Sequence, residues 1–432
     1  MSKNSPSKLK DILKKKLFKN YILEQQQKEK EEAYDIRKIF EQMELDLISS
    51  MHKAFYFHKQ EEEKEGFSWE QWQRSKLRAI EEYRKRNKEL VKKYSKPIQN
   101  AIDRELKKKY KEGQDRFAKV SKKLFRRIKK FFGLNENPKI GLPSDISEKQ
   151  KIRDYIRIML GKEPIPLPDD SFFSINDKKI DALQEAVKND LKKAQYSVLR
   201  KMDDVYRQTI FKTQVYMQSG TKSLNKAIDM ATKDFLKKGI DSIIYKDGKK
   251  VNISSYAEMA LRTASQRATF LGEGKKRDEW GIHLVVVSAH ANTCKMCAKW
   301  QGQILIDDVF SNPSRDYIEE YEKKYKLLSE AIKAGLLHPN CRHTLTTYFE
   351  GITNIPIIPD EKEAIKIYEA EQKQRNFERA IRKQKRIAMG TCNLEDKLQE
   401  QEKLKNLENV LRKHLSKYSK LKRNYEREDI KR

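Results

Sequence analysis

Three of the four cysteines lie between positions 294 and 341: Cys294 and Cys297 in the run CKMC, and Cys341 in HPNCRH. Four of the seven histidines, His283, His290, His338 and His343, fall in or beside the same window. A C-x2-C pair lets two thiolates reach one tetrahedral cation, and a second cluster on a distant loop can close the site. Mixed sulfur and nitrogen donors in a reducing compartment suit zinc. Five or six donors compete here for four positions. The competing reading is a set of reduced, partly buried thiols with hydrogen-bonded loop histidines. A redox dithiol fits less well, because Trp300 follows the pair and no thioredoxin-like βαβ pattern surrounds it. A catalytic zinc would need an open position and a nearby base, and nothing in the sequence fixes Asp307 or Asp308 near the cluster. The chain contains no G-x-x-x-x-G-K-[ST], G-x-G-x-x-G, G-x-S-x-G or H-E-x-x-H motif.

The elements that must carry this cluster are mostly helical. Ile36, Phe40, Met43, Leu47 and Met51 recur at helical spacing. A second helix is expected to open at Ser68, with Gln71 completing a capping box, and to run to Gly113. Val120, Leu124, Ile128 and Phe131 mark one face of the next stretch. Lys122, Lys123, Arg126, Arg127, Lys129 and Lys130 surround that stripe and are the candidate nucleic-acid contacts; the same amphipathic pattern also suits a membrane surface and, first of all, docking of the apolar face on another helix. Five prolines from Pro138 to Pro168 mark a linker, followed by helix over about 176–238. Asp247-Gly248 predicts a β-hairpin between Ser242–Tyr245 and Lys249–Ile253. Ser255 and Glu258 form a capping box for a helix ending near Gly272 or Gly274. Ile282–Val287 and Gln303–Ile306 read as strands. Leu404, Leu407, Leu411, His414, Tyr418, Leu421 and Tyr425 give a coiled-coil or bundle seam, and the pattern breaks near Met389-Gly390.

This reading predicts a predominantly helical α+β chain, with long basic terminal helices around a small central α+β domain. The expected segments are a basic arm (1–133), a proline-containing linker (134–170), a helical region (171–240), an α+β core with the Cys/His cluster (241–358) and a charged helical tail (359–432). With 432 residues and only four cysteines, the chain does not suit a disulfide scaffold, and no apolar run suits a membrane span. The first residues, MSKNSPSKLKDILKKK, lack the apolar stretch of a secretory signal. The net charge of +30 is uneven. Residues 1–130 carry +16 and 361–432 carry +8, which leaves +6 for the middle. That bias points to a polyanionic partner for the ends, with nucleic acid first.

The runs YAEMALRT (Tyr256–Thr263), WGIHLVVVSAHANTCKMCAKWQGQIL (Trp280–Leu305) and GLLHPNCRHTLTTYFEGI (Gly335–Ile352) resemble the phage minor capsid protein 2 family. That family is akin to the head-morphogenesis proteins of Mu-like phages. YEAEQKQRNFERAIRKQKR (Tyr368–Arg386) is similar to its C-terminal helix. The resemblance covers about 241–390. It implies a non-enzymatic component of a tailed-phage head, few in copies, acting in assembly inside the capsid near the portal vertex, after a spell in the host cytoplasm. Partners would be the portal, other head proteins and packaged double-stranded DNA. Family members keep residues matching His290, Cys341 and His343, while Mu-type relatives carry a pair like Cys294/Cys297. The implied metal set is therefore Cys294, Cys297, Cys341 and His343 around one structural zinc, with His290 and His338 in reserve. The alternative is a zinc-dependent nuclease or toxin-like enzyme, because HPNCRH is similar to a treble-clef corner.

Overall fold

A computed structural model describes residues 36–51, 53–55, 69–131, 170–218, 227, 230–232, 240, 243–244, 248, 250–350, 353–391 and 394–428. The expected linker up to residue 169, Ser68, Asp247 and Cys392 lie outside these residues, as do the side chains of residues 122–131. The chain is α+β and predominantly helical, as the patterning predicted. Helix α1 covers 36–51, and all five residues of its apolar stripe are buried. Helices α2 (Trp69–Arg78), α3 (Ile80–Phe131) and α4 (Asp170–Gln218) follow. The predicted hairpin is present as β1 (Ile243–Ile244) and β2 (Lys250–Val251), antiparallel, with Gly248 at φ +77°.

Helix α5 (Ile253–Trp280) begins before the expected capping box. Its cap is Asn252, whose side chain accepts from Ser254 N, while Glu258 bonds Arg37 and Arg262 instead. Gly113 does not end a helix: α3 runs through it to Phe131. Gly272 and Gly274 likewise lie inside α5, which stops at Gly281 in the left-handed conformation. These interior glycines are places where backbones touch. A Cβ on Gly274 would stand 1.9 Å from the Phe310 carbonyl oxygen, and α3 crosses α5 through Gly113 and Gly272 in the same way.

Beyond α5 come β3 (Leu284–Val287), α6 (Lys295–Ala298), β4 (Ile304–Ile306), α7 (Arg315–Tyr321), β5 (Lys326–Leu327), α8 (Leu328–Lys333) and β6 (Leu345–Thr347). The strands form a sheet in the order β5-β4-β3-β6. β3 is antiparallel to both β4 and β6, with Val285 opposite Leu305 and Thr347, whereas β4 and β5 run parallel. All four residues of β3 are buried, as an unbroken apolar run in a central strand should be. Helices α9 (Glu361–Gly390) and α10 (Leu394–Lys417) then fold against each other, with the break where the sequence pattern failed. The seam holds through Leu411 and His414, whose Nε2 lies 2.9 Å from the Ala370 carbonyl oxygen. Tyr418, Leu421 and Tyr425 lie past the end of α10 at Lys417, where the chain turns back through Leu421 N to Tyr418 O, while the Tyr418 ring still meets that of His414 at 5.1 Å.

Among the described residues, two large apolar cores are accompanied by a third, small cluster of Leu284, Ile306, Tyr317 and Tyr321 between the sheet and α7. The larger core joins Phe40 of α1, Leu106 of α3, Val198 of α4, Leu261 of α5 and Ile387 of α9. Buried Glu44 adds a polar tie, accepting from Ile240 N at 2.9 Å and from Asn252 Nδ2 at 3.0 Å. The smaller core packs α5 on one face of the sheet, through Phe270, Val285, Leu305, Leu328 and Leu345, and it contains the three described cysteines.

Candidate metal centre

Each member of the cluster is set by a short element. Cys294 stands at the N-terminal boundary of α6, and Cys297 lies inside that single turn of helix. The turn brings the two sulfurs to one side. His338, Cys341 and His343 come from the loop between α8 and β6, where Leu337 and Asn340 take positive φ. The donor atoms fall into two triads that share Cys297: Cys294/Cys297/His338 and Cys297/Cys341/His343. Within each triad all donors lie within 4.8 Å of one another.

The spacings within each triad are close to the edges of a tetrahedral zinc site, but among the described residues no four donors lie within 4.8 Å of one another, so Cys294 and His338 are not gathered with Cys341 and His343. Bonds of about 2.3 Å to sulfur and 2.0–2.1 Å to nitrogen require edges of about 3.8 Å between sulfurs and about 3.6 Å between sulfur and nitrogen. Cys297 Sγ lies 3.7 Å from Cys341 Sγ, and Cys341 Sγ 3.4 Å from His343 Nδ1. Cys294 Sγ lies 3.2 Å from His338 Nε2. The thiols are free, and their separation is far beyond the ~2.05 Å of a disulfide. The chain therefore has a Cys/His cluster that could hold a metal ion.

The surroundings orient both imidazoles. His343 Nε2 has Thr293 Oγ1 at 3.2 Å and Gln301 Oε1 at 3.4 Å, and the amide oxygen can only accept. A proton on Nε2 leaves the Nδ1 lone pair toward Cys341, the outer hydrogen bond that ligating histidines use. His338 is set the other way, with Nδ1 2.9 Å from the Pro339 carbonyl oxygen, so its Nε2 lone pair faces Cys294. His290 belongs to neither triad. Its ring meets that of His343 edge-on at 4.9 Å, and its Nε2 is 2.9 Å from Ser288 Oγ. The hydrogen bond with Cys297, opposed by burial and helped by His343, pulls Cys341 down to about 4, while Cys297 is pushed up. The pair thus gives up one proton readily and keeps the other, and a cation is what would let both sulfurs be thiolates.

Arg342, between Cys341 and His343, fixes this loop to α9. It forms a two-pronged pair with Glu371, at 2.9 Å for Nη1, and Glu371 also accepts from Arg375 and Asn292. Burial opposes the charge on Glu371, yet Arg342 and Arg375 hold its pKa down to about 2.

A second polar cluster gave no sequence signal. Arg277 is fully buried, with Nη2 2.5 Å from Asp307 Oδ2 and Nη1 3.4 Å from Glu273 Oε2. Asp278 next to it accepts from Asn176 at 2.7 Å and from both nitrogens of Asn312. His283 joins them through Ser311, and burial lowers its pKa to about 3. Asp307 thus serves the C-terminal end of α5, away from the metal cluster's triads. Lys122, Lys123, Arg126, Arg127, Lys129 and Lys130 lie on the last turns of α3, and their side chains are outside the described residues.

The chain belongs to the phage minor capsid protein 2 family, whose sequence model matches residues 147–416. Among its relatives, a structural protein of Lactococcus phage LL-H is 30% identical over 187 residues, which is 42% of this chain and 48% of that protein. A structural protein of Lactococcus phage mv4 is 40% identical over 103 residues, 22% of this chain and 82% of that protein. The match thus spans about half the length of the LL-H protein. No solved structure matches the chain. Among the described residues, no helix is long and apolar enough to cross a membrane.

Proposed function

We propose that this protein is a structural part of a tailed-phage head, assembled with other head proteins at or near the portal vertex, and that its basic helical ends contact packaged DNA. Family membership carries the first half of this reading. The charge distribution supports the second, since the two ends hold +24 of the net +30. Lysines and arginines on such helices neutralise phosphates by releasing counterions, which needs no base sequence and weakens with salt.

Within this reading the cluster holds one structural zinc through Cys294, Cys297, Cys341 and His343, with His338 as the rival for the place of Cys294. Burial of the three cysteines and His343 favours a fastening role over a catalytic one, which would keep an open position. The ion would tie α6 to the loop before β6 in a domain whose strands are only two to four residues long. Mass spectrometry of purified virions tests the proposal: the protein should be present in low copy beside the portal. Its absence from intact particles would remove the structural role. DNA affinity that is flat between low and moderate salt would remove the DNA contact alone.

A further inference from the structure

Beside the metal cluster, and sharing Cys341 with it, lies a cleft where α3, α5, α9, the loop before β6 and the C-terminal turn converge. Its lining includes Lys109 and Arg116 of α3, Arg262 of α5, Arg342 of the loop, Arg375 of α9 and Arg427 of the turn. Among the described lining residues only Glu105 is a carboxylate, and it already accepts from Ser265 Oγ at 3.1 Å. Six cations thus meet one acid around a single opening.

The counter-ions of these cations stand outside the lining. Glu112 pairs with Lys109, Glu273 with Arg116, Glu258 with Arg262, Glu371 with Arg342 and Arg375, and Glu378 with Arg427. A guanidinium has five N–H donors in a fixed fork, and one carboxylate cannot use them all. Nε of Arg375 is buried with no hydrogen-bond partner among the described residues. The arginines also repel one another. Burial is the first cause of the lowered Arg375 pKa, about 10, and Arg342, Arg427 and Arg262 all add to it. A fold that gathers cations this way gains from an anion that spans several of them.

We propose that this cleft binds a phosphate-bearing polyanion. Guanidinium forks match phosphate oxygens in pairs, and a multivalent anion offsets more of the repulsion than one carboxylate does. The source is either a free polyphosphate or the backbone of nucleic acid, both of which present the same group. The site does not depend on a role in the head, since it follows from the positions of these side chains alone.

The test is calorimetric titration of the full chain with tripolyphosphate at low salt. Saturable binding to one site is expected, with a rise in melting temperature at saturation, because a ligand of the folded state stabilises it. The variant R116Q/R427Q should lose about tenfold or more in affinity, the scale of lost charge-assisted hydrogen bonds. K111Q/K119Q, which removes the same charge from exposed positions of α3, should change it by about twofold at most. A short DNA duplex that displaces tripolyphosphate identifies nucleic acid as the source, and failure to displace it identifies the free anion. Binding without saturation, an equal loss in both variants, or binding of polyglutamate in place of tripolyphosphate would each overturn the proposal. Should R116Q/R427Q fail to fold, the melting shift of the unaltered protein still decides: no rise at saturating tripolyphosphate sinks it.

Discussion

Gly113 of α3 and Gly272 of α5 are set against the backbone of each other's helix. A Cβ on Gly113 would lie 2.2 Å from the Thr269 carbonyl oxygen, and one on Gly272 would lie 2.0 Å from that of Tyr110. The larger core and the sheet domain meet along α5, so this crossing sets how the cluster-bearing domain sits on the helices.

The glycine pair gives a direct test. G113A and G272A should each cost about 1–3 kcal/mol, the usual effect of overpacking, because backbone and not a flexible side chain must move. G248A is the reference: nothing lies within 4 Å there, and only its φ of +77° is unfavourable, worth about 1–2 kcal/mol. Chemical denaturation of the three variants ranks them. A G113A protein as stable as the parent would mean that the helices do not cross this closely.

Metal content separates the ligands. Purified, chelator-free protein should contain about one zinc per chain, as one closed structural site requires. Cys297 belongs to both triads, so C297S should lose the metal and lower the melting temperature. H290A should keep it. C294S and H338A decide the fourth position, since only the true ligand's loss should empty the site. A zinc content below about a tenth of an equivalent would return all five donors to ordinary buried polar residues.

The buried imidazole of His283 predicts acid sensitivity. Its folded pKa of about 3 lies below the ordinary value of 6.5, because burial disfavours the charged form. The unfolded chain therefore binds a proton that the folded chain refuses, and stability falls as pH drops from about 6.5 toward 3. One such group contributes a slope of up to about 1.4 kcal/mol per pH unit. Denaturation midpoints from pH 7 to pH 5 should show this loss, and H283N should flatten it. An unchanged slope in H283N would assign the acid sensitivity to other groups.

These features differ in how far the sequence displayed them. Local patterns were plain: the α1 stripe from Ile36 to Met51, the Asp247-Gly248 hairpin and the apolar run of β3 each rest on neighbours in the chain. Gly113 and Gly272 misled because a glycine that ends a helix and one that admits another backbone look the same in one sequence. The Ser255/Glu258 box was outcompeted by Asn252, which Glu44 of α1 holds from far away in the chain. Strands β5 and β6 are too short to show a period. Residue type singled out Cys294, Cys297 and Cys341 with His338 and His343 as donors, but their division into two triads that share Cys297 needed the loop geometry. The arginine cleft was invisible, since its six cations come from five separate parts of the chain.

The last prediction concerns Arg277 and Asp307. Both side chains are wholly buried, 2.5 Å apart, and Asp307 Oδ1 also accepts from Phe310 N at 2.9 Å. Removing one partner leaves the other as a charge without water, so R277M should cost about 3–5 kcal/mol. The exposed pair of Lys420 and Glu363, at 2.6 Å, is nearly as short, yet K420A should cost less than about 1 kcal/mol because solvent screens it. Distance alone would rank the two pairs together, so the contrast isolates burial as the cause. A loss in R277M no larger than in K420A would mean that water reaches the end of α5, and that the neutral state of His283 needs another explanation.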